Sequence, residues 1–226
     1  MQQTGKAPAP WTLTGKGYIL AVRLPREQLD NESFIPEALR GTRRGRLAYV
    51  MFVDYERSDV GPYRELLYIP GSLQFRDARR LSITKIYVST RDSVVNGQEN
   101  WGIPKERCDF AVAYGDGRDR VALQAEDGTV FAELEFREKL WRVPVSTRFV
   151  PRNLRTLSQQ WAGQQFTYTP AARGHVKLAS LVSARFNASY FPDLARGTVI
   201  SCMKVTDFTM EFPVAVVEPA RVDTDR

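Results

Sequence analysis

The chain has 226 residues, 43% of them hydrophobic and 26% charged, which is ordinary composition for one globular domain and excludes a disordered or fibrous class. A domain of this length removes roughly 70% of its unfolded surface from water. The net charge of +6 raises the question of a polyanion partner.

Period-two alternation dominates the pattern. Gly17–Leu24 and Arg46–Asp54 read as the first strands, followed by Tyr63–Ile69 and Leu81–Thr90, the latter with Ile83, Lys85, Tyr87 and Ser89 on one face. Asp109–Tyr114, Val121–Ala125 and Thr129–Arg137 follow, joined by the turn signals Gly115-Asp116-Gly117 and Asp127-Gly128, which predict an antiparallel meander. Val176–Phe186 and Ile200–Val217 complete the strand set. Helical stretches are few and short: Arg26–Leu29, Glu37–Arg40, Arg91–Asn96 and Asn153–Gln160. Many strands of similar length between Gly/Asp turns predict a mainly β barrel or sandwich.

Several chemistries are excluded early. Arginines cluster at Arg40, Arg43, Arg44 and Arg46, but no aromatic residues interleave with them and no nucleic-acid signature is present, so no nucleic-acid partner is expected. His175 is the sole histidine, leaving a His-based metal site or a Ser-His-Asp triad little to build on. Neither phosphate-binding glycine fingerprint occurs, so any hard chemistry falls to Lys, Glu, Asp, Tyr or an unseen cofactor. No apolar run approaches the roughly 18 residues a membrane helix needs. The start MQQTGKAPAPW lacks the apolar core of a secretory signal. Two cysteines are too few for a disulfide framework, and the chain reads as cytoplasmic with no membrane partner. We expect a single domain over 1–226, with a loose N-terminal arm (1–10) and a loose C-terminal tail (218–226).

One stretch stands apart. In Gly97-Gln98-Glu99-Asn100-Trp101-Gly102-Ile103-Pro104-Lys105 a lysine follows a rigid turn, in a chain with only seven lysines against twenty-five arginines. This stretch resembles the Gly-Arg-Glu…Pro-Lys segment of acetoacetate decarboxylases and their relatives. Trp11–Arg23 resembles that family's first strand, Gly61-Pro62-Tyr63-Arg64-Glu65 its Tyr-x-Glu strand, and Ile83–Ser89 the strand entering the lysine loop. The resemblance implies an antiparallel cone-shaped β-barrel with a few short helices and a site inside the barrel. It also implies a homo-oligomer. By position, Lys105 matches the amine that forms a Schiff base with a β-keto acid, and Glu65 matches one site carboxylate. Lys16 falls on the site arginine, with Trp101 and Ile103 as apolar substrate-binding walls. A lysine must lose its proton to act as a nucleophile, which desolvation or a neighbouring cation promotes; acetoacetate decarboxylase is itself the standard example of such an amine.

The sequence also departs from the pattern. The residue after Lys105 is Glu106 rather than a second lysine, and the position of the second site carboxylate falls on Val50. The resemblance nonetheless implies a Schiff-base-forming lyase acting on a small β-keto acid or related carbonyl compound, with no metal or organic cofactor because the lysine itself becomes the iminium sink. The alternative is a catalytically silent barrel that binds a small hydrophobic or carbonyl molecule. Glu99 reads as a hydrogen-bond partner holding the loop, Cys108 as a buried inert thiol, and His175 as structural.

Overall fold

The structure, a computed structural model, describes residues 5–115 and 117–220. In chain order its main elements are β1 (Trp11–Arg23), α1 (Arg26–Asn31), β2 (Ala48–Arg57), β3 (Tyr63–Ile69), β4 (Ser72–Gln74), β5 (Arg79–Leu81) and β6 (Lys85–Val88). Then come α2 (Arg91–Trp101), β7 (Lys105–Arg107), β8 (Asp109–Gly115), β9 (Arg118–Gln124), β10 (Val130–Ser146) and α3 (Arg152–Arg155). The last are β11 (Leu157–Trp161), β12 (Gln164–Tyr168), β13 (Ala171–Phe186), β14 (Thr198–Phe212) and β15 (Val216–Pro219).

Ten strands form one sheet in the order β7-β6-β3-β2-β1-β14-β13-β10-β9-β8, and a second sheet runs β15-β12-β11-β5-β4. The edge strands β7 and β8 of the large sheet are separated in the chain only by Cys108, so the sheet curls into a half-barrel that brings its two ends together. Alternation then sorts side chains between two faces. On the concave face, Tyr18 of β1 stacks on Phe136 of β10 at 3.9 Å between ring centroids, and Tyr87 of β6 meets Phe131 at 4.5 Å. These contacts join strands far apart in the sheet order, so this cluster, with Leu20, Val50, Phe52 and Leu66, fills the inside of the curl. The convex face carries a second cluster built on Trp11, Leu13, Tyr55, Tyr63, Leu67 and Ile86, covered by Trp101 and Ile103 from the α2 region and Tyr168 of the second sheet.

The expected meander is present, with β8, β9 and β10 paired antiparallel; Asp116 of its first turn lies outside the described residues. The single strand expected over Leu81–Thr90 is two strands instead: Leu81 ends β5 in the second sheet, Lys85 begins β6 in the large one, and between them the Thr84 hydroxyl donates to the Ser33 carbonyl at 2.6 Å. The helix expected over Asn153–Gln160 is corrected more strongly. Only Arg152–Arg155 is helical, and Leu157–Trp161 pairs with Gln164–Tyr168 as a hairpin. Its two-residue turn is Ala162-Gly163, both with positive φ (49° and 76°). Turns of this kind usually announce themselves through Asn-Gly or Asp-Gly, and alanine in the first position hides the signal. The long strand expected to end at Val217 stops at Phe212, before Pro213, which has no N–H to donate; the chain then crosses to pair β15 with β12.

Gly5, Ala7 and Ala9 of the arm are bonded to α2. Asn96 Nδ2 donates to the Gly5 carbonyl at 2.9 Å while Asn96 Oδ1 accepts from the Ala7 N–H at 2.7 Å. Asn100 repeats the pattern one turn later, donating to the Ala7 carbonyl at 2.8 Å and accepting from the Ala9 N–H at 3.2 Å. Each side-chain amide copies the donor and acceptor of a paired peptide, so α2 holds the arm as a strand partner would. Asn96→Ala is expected to lose about 1–3 kcal/mol through the unpaired groups left behind and to speed tryptic cleavage after Lys6; unchanged cleavage would contradict the strap. Of the expected tail, Pro219 ends β15, and residues 221–226 lie outside the described residues.

Candidate functional site

The lysine loop is shaped by the end of α2. Thr90 caps the helix start, accepting from the Ser93 N–H at 3.4 Å. Gly102 ends it in the left-handed region (φ 62°), with its N–H on the Gln98 carbonyl at 3.0 Å and the Ile103 N–H on the Gly97 carbonyl at 3.3 Å. The first bond is the five-to-one closure of a helix capped by a left-handed glycine, which reverses the chain, and Pro104 prevents any return to helix. Lys105 therefore opens β7 pointing back at the helix it has just left, with Gln98 Nε2 holding its carbonyl at 3.0 Å. Ser93, Gly97 and Trp101 recur at four-residue spacing and share the helix face turned toward it. At Gly97 there is no room for a side chain: a Cβ there would stand 2.6 Å from Lys105 Cδ and 2.8 Å from Cε. The missing methyl is the slot in which the lysine lies.

Lys105 is 4% exposed. Its Nζ lies 3.0 Å from Ser93 Oγ, 3.4 Å from Glu65 Oε2 and 3.4 Å from the Tyr63 hydroxyl, and 4.9 Å from the centre of the Tyr63 ring. Glu65, equally buried, accepts a second hydrogen bond from the Tyr55 hydroxyl at 2.9 Å through Oε1. Tyr55 and Tyr63 stand directly across the β2–β3 ladder, and Tyr63 and Glu65 share a face two residues apart. Burial holds the Lys105 amine below its ordinary value of 10.5, with the Glu65 carboxylate pulling the other way. Burial, reinforced by Glu65, raises both phenols well above their usual range, so both remain hydrogen-bond donors. The group encloses a cavity of about 30 Å3, whose apolar walls include Trp11, Leu13, Ile83 and Phe212. That is room for roughly one or two water molecules.

Four of the five residues singled out in the sequence, Lys105, Glu65, Trp101 and Ile103, line this one cavity. Lys16 does not. Alternation along β1 turns it to the face opposite Leu13, where its Nζ sits 4.0 Å over the Tyr114 ring. Two of the expected departures resolve in the same way. Glu106 alternates away from Lys105 and binds Lys85 Nζ at 2.6 Å on the concave side, and Val50 is buried inside the curl, across the sheet from Glu65. The site expected inside the barrel is thus on its convex wall, roofed by α2 and the second sheet. Glu99 is exposed, and Gln98 performs the loop-holding role assigned to it. Cys108 is fully buried and its thiol is pushed up by burial, which keeps it inert. His175 lies at the surface beside Asp207 and Arg142.

Sequence reasoning missed Ser93 and Tyr55 and did not assign Tyr63. A sharper reading would have caught two: Tyr63 shares a strand face with Glu65, and Ser93 lies one helical turn before Gly97. A larger depression, about 490 Å3, lies over β8, β9, β10 and β13. Its charged groups are already spent on one another, Arg120 on Glu135 and Arg185 on Glu133.

Comparison with known proteins bears on the family and the fold. The family model described as acetoacetate decarboxylase matches residues 3–199. No curated protein sequence matches the chain. Among solved structures, acetoacetate decarboxylase from Legionella pneumophila superposes with a TM-score of 0.74 at 11% identity, covering 96% of this chain and 90% of that one. An acetoacetate decarboxylase-like enzyme from Sphingomonas wittichii RW1 gives 0.70 at 10% identity, with 95% of each chain covered. The enduracididine biosynthesis enzyme MppR, complexed with pyruvate, gives 0.64 at 13% identity, covering 96% of this chain and 93% of its own. At these identities the likeness is one of fold.

Proposed function

The chain belongs to the acetoacetate decarboxylase family, and from that premise we propose that it is an imine-forming carbon–carbon lyase in which Lys105 is the nucleophile. The observation that carries the reading is a buried amine whose proton is loosened by desolvation, set in a closed apolar cavity with one carboxylate and three hydroxyls around it. The neutral amine attacks the carbonyl carbon. The carbonyl oxygen then departs as water, taking one hydrogen from the amine and one further proton, and leaves an iminium cation on Nζ. That cation accepts the electron pair of a bond broken at the neighbouring carbon. Protonated Tyr63 and Ser93 are placed to donate to the oxygen as it leaves, and Glu65 to move the protons. The lysine is its own electron sink, so this chemistry calls on no organic cofactor.

Borohydride reduction in the presence of a panel of ketones, aldehydes and keto acids, followed by peptide mass mapping, tests this. The expected result is a reduced adduct on Lys105 that is absent from Lys105→Ala. Trapping is expected to quicken as pH rises toward 10.5, because the unprotonated fraction is the reactive one; a rate that falls with pH over 6 to 9 would contradict the assignment. The second reading, a silent barrel that binds without turnover, is favoured by the small cavity and by Glu65 drawing the amine back toward its charged form. It predicts no adduct with any carbonyl compound.

The same reading includes self-association. Trp141, Phe149, Leu154 and Leu178 are 60–83% exposed, and large apolar side chains so placed are suited to a second copy of the chain. Sedimentation at micromolar concentration is expected to show an oligomer, and a monomer would contradict it.

A further inference from the structure

The charges around Lys105 point to a narrower substrate class: we infer that the carbonyl compound this site accepts is uncharged, an aldehyde, ketone or keto amide rather than a keto acid. The inference rests on the imine reading above and concerns which carbonyl the imine is made from.

Among the described residues, Lys105 is the one cation lining the cavity and Glu65 the one carboxylate. When the amine becomes an iminium it keeps a single positive charge, and Glu65 at 3.4 Å balances it. An uncharged substrate leaves that balance intact. A substrate carboxylate would add a second negative charge to a small, largely apolar site, and a buried charge without a partner is strongly disfavoured.

The cations that could have answered it are engaged elsewhere. Lys16 lies over Tyr114 on the other face of the sheet, and Lys85 is bound to Glu106 at 2.6 Å on that face. Arg64 pairs with Asp54 at 3.2 Å, and Arg107, which shares a face with Lys105, pairs with Asp109. The first turn of α2, another place a carboxylate can rest, already carries the Asp92 carboxylate, and its Ser93 N–H is turned back on the Thr90 hydroxyl at 3.4 Å.

A neutral substrate also decides which bond breaks. Loss of carbon dioxide needs a carboxylate, so the remaining reactions are removal of a proton from the α carbon, or cleavage of its bond to a carbinol carbon. In the first, the C–H pair moves into the iminium to give an enamine and the proton passes to Glu65. In the second, Glu65 takes the carbinol hydroxyl proton, the carbinol becomes a carbonyl, and the C–C pair forms the enamine. In the second, a proton returned to the enamine carbon and hydrolysis by water release the shortened carbonyl compound and the free amine; in the first, the same steps exchange or invert the α hydrogen and return a compound of the same formula.

The test compares isosteres that differ in charge: acetoacetamide with acetoacetate and pyruvamide with pyruvate, each trapped by borohydride on the full chain. Each Lys105 adduct rate is divided by the rate for the same compound with a free lysine side chain, which removes intrinsic carbonyl reactivity. The amides are expected to label Lys105 at least about tenfold faster than the acids after this correction, a preference worth about 1.4 kcal/mol. Glu65→Gln, which removes the resident negative charge, is expected to shrink that ratio. Equal labelling, or faster labelling by the acids, would overturn the inference and leave the imine reading standing. No labelling by either set would overturn both.

Discussion

Replacing Gly97 by alanine is expected to lower stability by about 1–3 kcal/mol and to abolish carbonyl trapping at Lys105. The sign is the informative part. Gly97 lies in the second turn of α2, and at an exposed helix position the exchange of glycine for alanine is worth roughly 1 kcal/mol of stabilisation. Here the added methyl would stand 2.6 Å from Lys105 Cδ, inside the contact limit of two carbons. The aliphatic part of Lys105 is confined by Trp101, Ile103 and the sheet, so it must leave the slot and take Nζ away from Ser93 and Glu65. Equilibrium denaturation together with borohydride trapping checks both halves. A stabilised variant that still labels at Lys105 would show that the lysine does not lie against the helix.

The second large effect concerns the ion pair. Lys105→Met is expected to cost about 3–5 kcal/mol, since it strands the Glu65 carboxylate in an apolar cavity. Glu65→Leu should cost about as much by stranding the ammonium, and by depriving Tyr55 of its acceptor at 2.9 Å. The double variant Lys105→Met/Glu65→Leu is expected to recover most of the loss and to approach or exceed the parent, because well-packed apolar residues often replace a buried pair at a gain of about 1–4 kcal/mol. A double-mutant cycle in urea measures this. Simple additivity of the two losses would mean that the groups do not interact. Recovery would mean that the pair is poor value for stability, as expected of groups kept for chemistry.

The lysine loop was the most legible part of the sequence because its constraints are local. Gly102, Pro104 and Lys105 fix a helix stop, a chain reversal and a direction within four residues, and alternation on β3 places Glu65 relative to Tyr63. The meander that follows was legible for the same reason: β9, buried at every second residue, writes its burial in period two. Lys16 could not be placed in this way. Whether it meets Lys105 depends on which face of β1 is turned toward α2, and alternation marks two faces without naming them. Both faces of the large sheet are buried against apolar clusters, so inside and outside look alike in the sequence. The hairpin of β11 and β12 was hidden by Ala162 in a turn that usually carries asparagine or aspartate. Ser93 was hidden because a single serine in a helix has no pattern; only its distance of one turn from Gly97 marks it.

Everything proposed for Lys105 depends on its amine giving up a proton more readily than an ordinary lysine. A pH titration by NMR of protein labelled with nitrogen-15 lysine, following Nζ of the seven side chains, measures this directly. The Lys105 signal is the one missing from the Lys105→Met/Glu65→Leu double variant. The expected result is that it titrates below 10.5, since burial disfavours the ammonium more than Glu65 restores it. The native state then binds fewer protons than the unfolded chain between that lowered value and 10.5, so stability gains from Lys105 as pH rises through the window. A Lys105 amine that titrates at or above 10.5 would mean that Glu65 holds it as a closed ion pair, and would contradict its role as a nucleophile.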